Sequence, residues 1–374
     1  VKVVITGGGT GGHLYPGLAV AEALRRLDAT TDILFVGGRR LEATVVPQAG
    51  WPFHAIAGQG LPRRPSPATI AALASAAIGT AQAFQILWRY RPHVVVATGG
   101  YVCAPVGAAA ALLGIPLVLQ EQNLRAGLAN RLLARWARWI SVPHAEAAAA
   151  FGSRRIEVTG VPVRRRALEG DRERGLARWG LDPDRVTVLV IGGSQGAHSL
   201  NKAVCRLGDL LMFEERVQIL HHTGKADLAW VREAIGRREH VGPPAIRQIP
   251  VPFLDPIGDA YACAGLVVCR AGASTLAEVT AWGLPAIVVP YPYAAMGHQE
   301  DNAAILTRAG AAVRVADSEL EGTALVEAVQ ALASDAGRRK AMEAASRALG
   351  HRDAAGTVAG AVLAMGRARQ EVRA

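Results

Sequence analysis

The sequence predicts an α/β chain made of two units, each a parallel sheet flanked by helices. Three observations carry this. Val1-Lys2-Val3-Val4-Ile5 is short and mostly β-branched, as a buried parallel strand is; it enters a glycine turn, Thr6-Gly7-Gly8-Gly9-Thr10-Gly11-Gly12-His13, and then an apolar stripe at Leu18, Ala19, Ala23, Leu24 and Leu27. The same design restarts at 186–191 with Gly192-Gly193-Ser194-Gln195-Gly196-Ala197 and a helix from about His198. Finally, 374 residues, 51% of them hydrophobic, suit two cores rather than one.

In the first half, Pro16 suits the opening turn of the first helix. The second strand, 33–36, ends in Gly37-Gly38-Arg39-Arg40, and 51–67 reads as loop with one short strand. A long helix is expected over 68–90, flanked by Arg63, Arg64, Arg89 and Arg91. The strand 94–97 ends in Thr98-Gly99-Gly100-Tyr101, a second glycine turn at a strand's carboxyl end. A helix over 105–113 and a strand over 116–119 lead to Gln120-Glu121-Gln122-Asn123. Open α/β sheets bind ligands at such ends, so His13, Tyr101 and Asn123 are candidates for one crevice. Residues 128–139 read as a basic, aromatic helix, with a strand over 139–142.

In the second half, 164–178 reads as linker and first helix, and strands follow at 218–221 and around 246–249. The strand 266–269 ends in Arg270-Ala271-Gly272-Ala273-Ser274-Thr275 before a helix over 276–282 that Ser274 or Thr275 can cap. Glu278 shares the face of Ser274. After a strand at 286–289 and a loop over 290–299, a helix carries Glu300, Asp301 and Asn302; two or three Ala-rich helices follow from about Gly322.

The net charge is +10 and uneven: residues 1–160 hold 15 Lys/Arg against 7 Asp/Glu, a net of +8. A basic first half suits an anionic partner, whether phosphorylated substrate or anionic membrane. No RNA-binding aromatic pattern or basic recognition helix points to nucleic acid. Cys103, Cys205, Cys263 and Cys269 show no metal-ligand clustering, and His221-His222 lack neighbours at zinc spacing. The sequence shows no signal-peptide pattern and no uncharged run expected to span a membrane, 103–119 coming closest. The segments 68–88 and 128–139 are instead candidates for contact with a membrane surface.

Gly7-x-Gly9-x-x-Gly12 formally satisfies the dinucleotide fingerprint, but the acidic residue expected after the second strand is missing. Arginines there suit a phosphorylated dinucleotide, so that reading stays open at this level.

Four stretches together are more specific: Gly8 to His13 with Pro16-Gly17-Leu18-Ala19, Gly192 to Ala197, Arg270 to Glu278, and Gly297-His298-Gln299-Glu300-Asp301-Asn302-Ala303. In order and spacing the chain resembles the peptidoglycan glycosyltransferases of the MurG family, over nearly its whole length. The resemblance implies an α/β GT-B glycosyltransferase fold, two Rossmann-like domains facing across a deep cleft. It implies an acceptor and membrane-associating domain at 1–162, a UDP-GlcNAc-binding domain at 163–345, and a last helix, 346–374, crossing back to the first. The implied reaction is inverting transfer of N-acetylglucosamine from UDP-GlcNAc to the C4 hydroxyl of MurNAc in lipid I, giving lipid II at the cytoplasmic face of the membrane. A UDP-GlcNAc 2-epimerase, another glycolipid transferase, a dinucleotide oxidoreductase and a sugar-nucleotide sensor are the alternatives.

The resemblance also implies roles. His13 would be the catalytic base, since histidine ordinarily titrates near neutrality. Thr10, Gly11, Gly12 and Asn123 would bind substrate on the donor and cleft side, and Gly99, Gly100, Tyr101 and Asn130 would bind the acceptor; the loops around Gly11-Gly12 and Gly99-Gly100-Tyr101 would cradle its pyrophosphate through backbone N–H groups, with Asn123 and Asn130 at the acceptor side or cleft. Arg164 and Ser194 would contact the donor diphosphate, Leu254 would line the uracil, and Ala273, Ser274, Thr275, Leu276 and Ala277 would present a helix start to the phosphates. Glu278 would bind the ribose hydroxyls and Gln299 the GlcNAc hydroxyls. His198 stands where many relatives carry arginine, and His298 where some carry glutamine. No tightly bound cofactor or metal is implied, with room left for a loosely associated Mg²⁺.

Overall fold

A computed structural model describes residues 1–373 apart from 61, 63, 65, 153–154, 194–195, 211–215 and 240–245. Arg63 and Ser194, both singled out above, lie outside the described residues. The chain divides into two compact units, residues 1–164 with 351–374, and residues 165–350.

The first unit alternates strand and helix: β1 (Lys2–Thr6), α1 (Gly11–Leu27), β2 (Asp32–Gly37), α2 (Leu41–Gln48), β3 (Phe53–Ala55), α3 (Pro67–Tyr90), β4 (Val94–Ala97), α4 (Cys103–Leu112), β5 (Leu117–Gln120), α5 (Leu128–Leu133), β6 (Ala137–Val142) and β7 (Ile156–Val158). The sheet is parallel, in the order β3-β2-β1-β4-β5-β6-β7. Its strands are apolar on both faces because both faces are covered. Val4, Val95 and Leu117 pack under α3 and α4, while Val3, Ile5, Val94 and Val96 pack against Leu14, Leu18 and Leu24 of α1.

The second unit follows the same plan: α6 (Arg165–Leu168), α7 (Arg172–Trp179), β8 (Val186–Ile191), α8 (His198–Leu210), β9 (Val217–His222), α9 (Leu228–Glu239), β10 (Arg247–Val251), α10 (Ile257–Cys263), β11 (Leu266–Cys269), α11 (Ala273–Trp282), β12 (Ala286–Val288), α12 (His298–Arg308), β13 (Ala312–Arg314), α13 (Ala324–Ser334) and α14 (Ala336–Leu349). Its parallel sheet runs β10-β9-β8-β11-β12-β13. The last helix, α15 (Ala354–Arg373), returns to the first unit, where Val358, Val362 and Leu363 join the core under α1.

In each sheet the order reverses beside the first strand, between β1 and β4 and between β8 and β11. The crevice at the carboxyl ends of those strands is the ligand position of such folds, and all four strands end there in turns that contain glycine.

Four expectations need correction. α1 begins at Gly11, so Pro16 lies inside the helix, where its ring withholds one N–H from the ladder. The expected helix over 128–139 is cut short. α5 ends at Leu133, a single 3₁₀ turn covers Ala134–Trp136, and Trp139 is a buried residue of β6. A strand buried on both faces of the sheet wins over helical period there. α11 starts three residues earlier than expected, with extended Gly272 as its N-cap and no side-chain cap, so Ser274 and Thr275 sit within the first turn. Finally, α3 is one unbroken 24-residue helix, long and apolar enough to cross a membrane by length and composition. Its Thr, Ser and Gln residues disguise an uncharged run.

α3 packs Ala72, Ala83 and Leu87 inward and leaves Ile70, Leu73, Phe84 and Trp88 exposed on another face. An exposed apolar face of this extent on a helix already packed on its other side marks an interaction surface. Leu128, Leu132 and Trp136 are exposed as well, with Arg135 stacked on the Trp136 ring, 4.6 Å from its centroid.

Candidate functional site

In the first unit the loops after β1 and β4 close on each other. Gly8 N–H donates to the Gly99 carbonyl (3.3 Å), and Thr98 Oγ1 donates to the His13 carbonyl (2.7 Å). Gly99 and Gly100 have φ of +100° and +89°, the left-handed region that only glycine enters cheaply. A Cβ on Gly99 would stand 2.7 Å from His13 Nδ1, so the imidazole lies directly on that glycine's backbone. The ring's other anchor is Gln122, whose Oε1 is 3.1 Å from Nδ1.

Thr10 is the N-cap of α1 and makes no side-chain cap bond. The first turn of a helix leaves its N–H groups without intrahelical partners, and Gly11 and Gly12 carry no side chain to obstruct access to them. With the positive end of the helix dipole, this is a cradle for an anion or a polar sugar. A fully buried carboxylate, Glu42, fixes the loop by accepting from Gly9 N–H and Gly38 N–H, both at 3.0 Å. Tyr101 flanks Gly9, with the Arg40 guanidinium 5.6 Å from its ring centroid; burial pushes its phenol pKa up.

Glu121 organises the next loop. Its buried carboxylate accepts from Gln122 N–H (3.0 Å), Asn123 N–H (3.0 Å), Gly127 N–H (3.1 Å) and Asn130 Nδ2 (2.9 Å). Asn130, expected on the acceptor side or cleft, is buried; its Nδ2 donates to Glu121 and the Gln120 carbonyl, while its Oδ1 has no hydrogen-bond partner among the described residues. Asn123 is half-buried. Arg164 lies 4.4 Å from the centroid of the Tyr15 ring, which itself covers Gly11. The guanidinium is thereby tied to the glycine loop.

In the second unit the first turn of α11 opens at the carboxyl end of β11. Ala273, Ser274, Thr275, Leu276 and Ala277 form that turn and the start of the next. Ser274 Oγ is buried with no hydrogen-bond partner among the described residues, an unsatisfied hydroxyl at a helix start. Glu278 lies one turn from Ser274, and its Oε2 accepts from the buried Tyr261 hydroxyl at 2.7 Å. Leu254 is buried after β10, next to exposed Phe253. Gln299 stands in the first turn of α12, where its Oε1 accepts from Tyr291 N–H (2.9 Å); Asn302 ties α12 to the Ala271 carbonyl (3.3 Å).

Arg270, at the same turn, is buried and paired with Asp317 (2.6 Å), donates to Ser199 Oγ (2.7 Å) and lies 5.5 Å from the Tyr291 ring centroid. His198 pairs with Asp227 (3.0 Å) and sits edge-on to Trp230. His221 is an interior group: Gln248 Nε2 is 3.1 Å from its Nδ1 and Asn201 Oδ1 is 3.0 Å from its Nε2. Burial pushes its pKa down to about 3. Burial also pushes the Cys103 and Cys269 thiols up to about 12, which leaves them unsuited to act as nucleophiles. No group of three or more His, Cys, Asp or Glu able to hold a metal occurs among the described residues.

Gln122, Glu42, Tyr261 and Arg270 were not among the candidate residues. Gln122 had a usable signal, an amide just past a strand's carboxyl end; Glu42 joins Gly38, four positions away, to Gly9, 33 positions away, and Tyr261 reaches Glu278, 17 positions on, so neither role is legible from local pattern.

Comparison with known proteins agrees with this layout. Residues 3–142 match the glycosyltransferase family 28 N-terminal domain, and residues 187–358 match the family 28 C-terminal domain. The chain is 44% identical over 352 residues to the UDP-N-acetylglucosamine–N-acetylmuramyl-(pentapeptide) pyrophosphoryl-undecaprenol N-acetylglucosamine transferase of Desulforudis audaxviator, covering 94% of each chain. It is 43% identical over 353 residues to the transferase of the same name from Moorella thermoacetica, covering 94% of this chain and 95% of that one. Among solved structures, Acinetobacter baumannii MurG superposes with a TM-score of 0.78 at 26% identity, over 97% of this chain and 99% of that one. A putative UDP-N-acetylglucosamine 2-epimerase from Listeria monocytogenes shares the fold, with a TM-score of 0.67 at 16% identity over 97% of this chain and 95% of that one.

Proposed function

The chain belongs to glycosyltransferase family 28 and, within it, to the MurG transferases, and on that premise we propose a residue-level account of its reaction. The protein is a hexosyltransferase of peptidoglycan synthesis with the GT-B fold of two Rossmann-like domains. It transfers N-acetylglucosamine from UDP-GlcNAc to the C4 hydroxyl of MurNAc in lipid I, forming lipid II and UDP.

The first unit holds the acceptor. The first-turn N–H groups of α1, at Gly11 and Gly12, and the Gly99-Gly100-Tyr101 loop receive the lipid-linked pyrophosphate, with Asn123 on the sugar side. The second unit holds the donor: Leu254 lines the uracil, Glu278 binds the ribose hydroxyls, Gln299 the GlcNAc hydroxyls, and α11 presents its positive end to the diphosphate. The C4 oxygen attacks the anomeric carbon while its proton passes to the His13 imidazole. The bond from the anomeric carbon to UDP breaks, its electron pair leaves on the β-phosphate oxygen, and the configuration inverts. Charge on departing UDP is met by the α11 dipole and by Arg164. The observation that carries this account is the placement of His13 beside the first-turn N–H groups of α1, at the switch point of its sheet.

The exposed apolar face of α3 and the basic residues Arg64, Arg89, Arg131 and Arg135 support peripheral association with an anionic membrane surface at its cytoplasmic face, where a polyprenyl acceptor stays in lipid. Product analysis tests the reaction. Labelled UDP-GlcNAc and a lipid I analogue should give a lipid-linked disaccharide with an inverted, β-configured linkage. Acceptor-independent conversion of UDP-GlcNAc to its C2 epimer, without disaccharide, would overturn the transferase reading.

A further inference from the structure

The surroundings of Gln122 fix which His13 nitrogen carries the proton. Gln122 is buried, and its amide nitrogen donates to the Thr98 carbonyl and, at 2.7 Å, to Gln120 Oε1. A backbone carbonyl only accepts, so the Gln122 atom facing it must be the NH₂ group. Its Oε1 is then the atom turned to His13, 3.1 Å from Nδ1. A carboxamide oxygen also only accepts, so whenever the ring is neutral Nδ1 must be the nitrogen that carries the proton. Nε2 is left with its lone pair free and makes no hydrogen bond among the described residues.

We propose that Gln122 is a positioning residue: its carboxamide locks His13 in the Nδ1–H tautomer, so that Nε2 is the atom that accepts the proton of the acceptor hydroxyl. The catalytic use of this lock rests on the reading of His13 as base; the tautomer itself does not. An amide suits the task because it is uncharged and two-sided. One end is held by two acceptors, and the other is forced to present oxygen.

The test has two arms. In ¹⁵N-histidine-labelled protein, long-range ¹H–¹⁵N correlation distinguishes protonated from bare ring nitrogens. With His13 assigned through its backbone, the wild type should show Nδ1 protonated and Nε2 bare. Gln122→Met should lose that preference. A wild-type spectrum with Nε2 protonated overturns the proposal and needs no variant. In the second arm, kcat of Gln122→Met should fall about 10- to 100-fold with KM for UDP-GlcNAc unchanged. Wild-type kcat in Gln122→Met overturns the catalytic use of the lock. Wild-type kcat in His13→Ala overturns the base reading instead, a failure told apart because the spectrum does not depend on turnover.

Discussion

Adding one methyl group at Gly99 tests how tightly the site is built. In Gly99→Ala the new Cβ stands 2.7 Å from His13 Nδ1 and 3.1 Å from Cε1, whereas ordinary contact begins near 3.4 Å. The ring must therefore retreat by about 0.7 Å, and misplacement of a reacting group by about 1 Å costs on the order of 100-fold in rate. The substitution also carries strain, because φ is +100° there, worth about 1–3 kcal/mol of stability. Gly50→Ala separates the two effects. Gly50 has φ of +80° in the same unit, but a Cβ there meets nothing within 4 Å. Both variants should lose thermal stability, Gly99→Ala the more because of its clash, while only Gly99→Ala loses kcat, by about 30- to 100-fold, or roughly 2–3 kcal/mol of transition-state stabilisation. The assay is UDP release at saturating donor and acceptor, beside UDP-GlcNAc affinity by calorimetry, which should stay at the wild-type value. If Gly99→Ala turns over like Gly50→Ala, the imidazole does not act from the position it occupies against that glycine.

Three further outcomes follow from the geometry. Tyr261→Phe removes the hydroxyl that holds Glu278 and should raise KM for UDP-GlcNAc by about 5-fold, or roughly 1 kcal/mol, with kcat nearly unchanged; the reverse pattern would detach Glu278 from donor binding. His221 stays neutral in the fold down to about pH 3, whereas in the unfolded chain it takes up a proton below about 6.5. Its contribution is thus intact above pH 6.5 and lost as pH falls, by about 2 kcal/mol at pH 5. Denaturant midpoints at pH 7.5 and pH 5 should therefore draw closer in His221→Gln than in wild type, and equal pH slopes would refute the assignment. Reversing Arg64 and Arg89 to glutamate should cut partitioning onto anionic vesicles by at least 30-fold, at about 1 kcal/mol for each arginine lost from the surface. Undiminished flotation would remove the α3 side from the membrane contact.

What the sequence made legible was whatever is local. Strands such as 94–97 and the glycine turns after them announce themselves by composition, and their recurrence revealed two units. The four-stretch resemblance then suggested the roles proposed for His13, Glu278 and Gln299. Less was legible where a tertiary demand overrides local pattern. Trp136 and Trp139 share an aromatic, arginine-rich stretch, yet Trp139 lies in the sheet core and Trp136 is exposed, because the chain turns into β6 between them. Asn130 is buried with its Nδ2 on Glu121, nine positions earlier, a tie no local pattern announces. Gln122 was visible as an amide at a strand end, but its two-sided role depends on Thr98 and His13, 24 and 109 positions away. Those distances close only once β1, β4 and β5 lie side by side.

The most direct measurement is UDP release from UDP-GlcNAc with and without a lipid I analogue, in wild type and in His13→Ala. Release should require the acceptor in wild type and collapse by about 100-fold or more in the variant while UDP-GlcNAc binding persists. Full acceptor-dependent release in His13→Ala would contradict the assignment of His13 as the base.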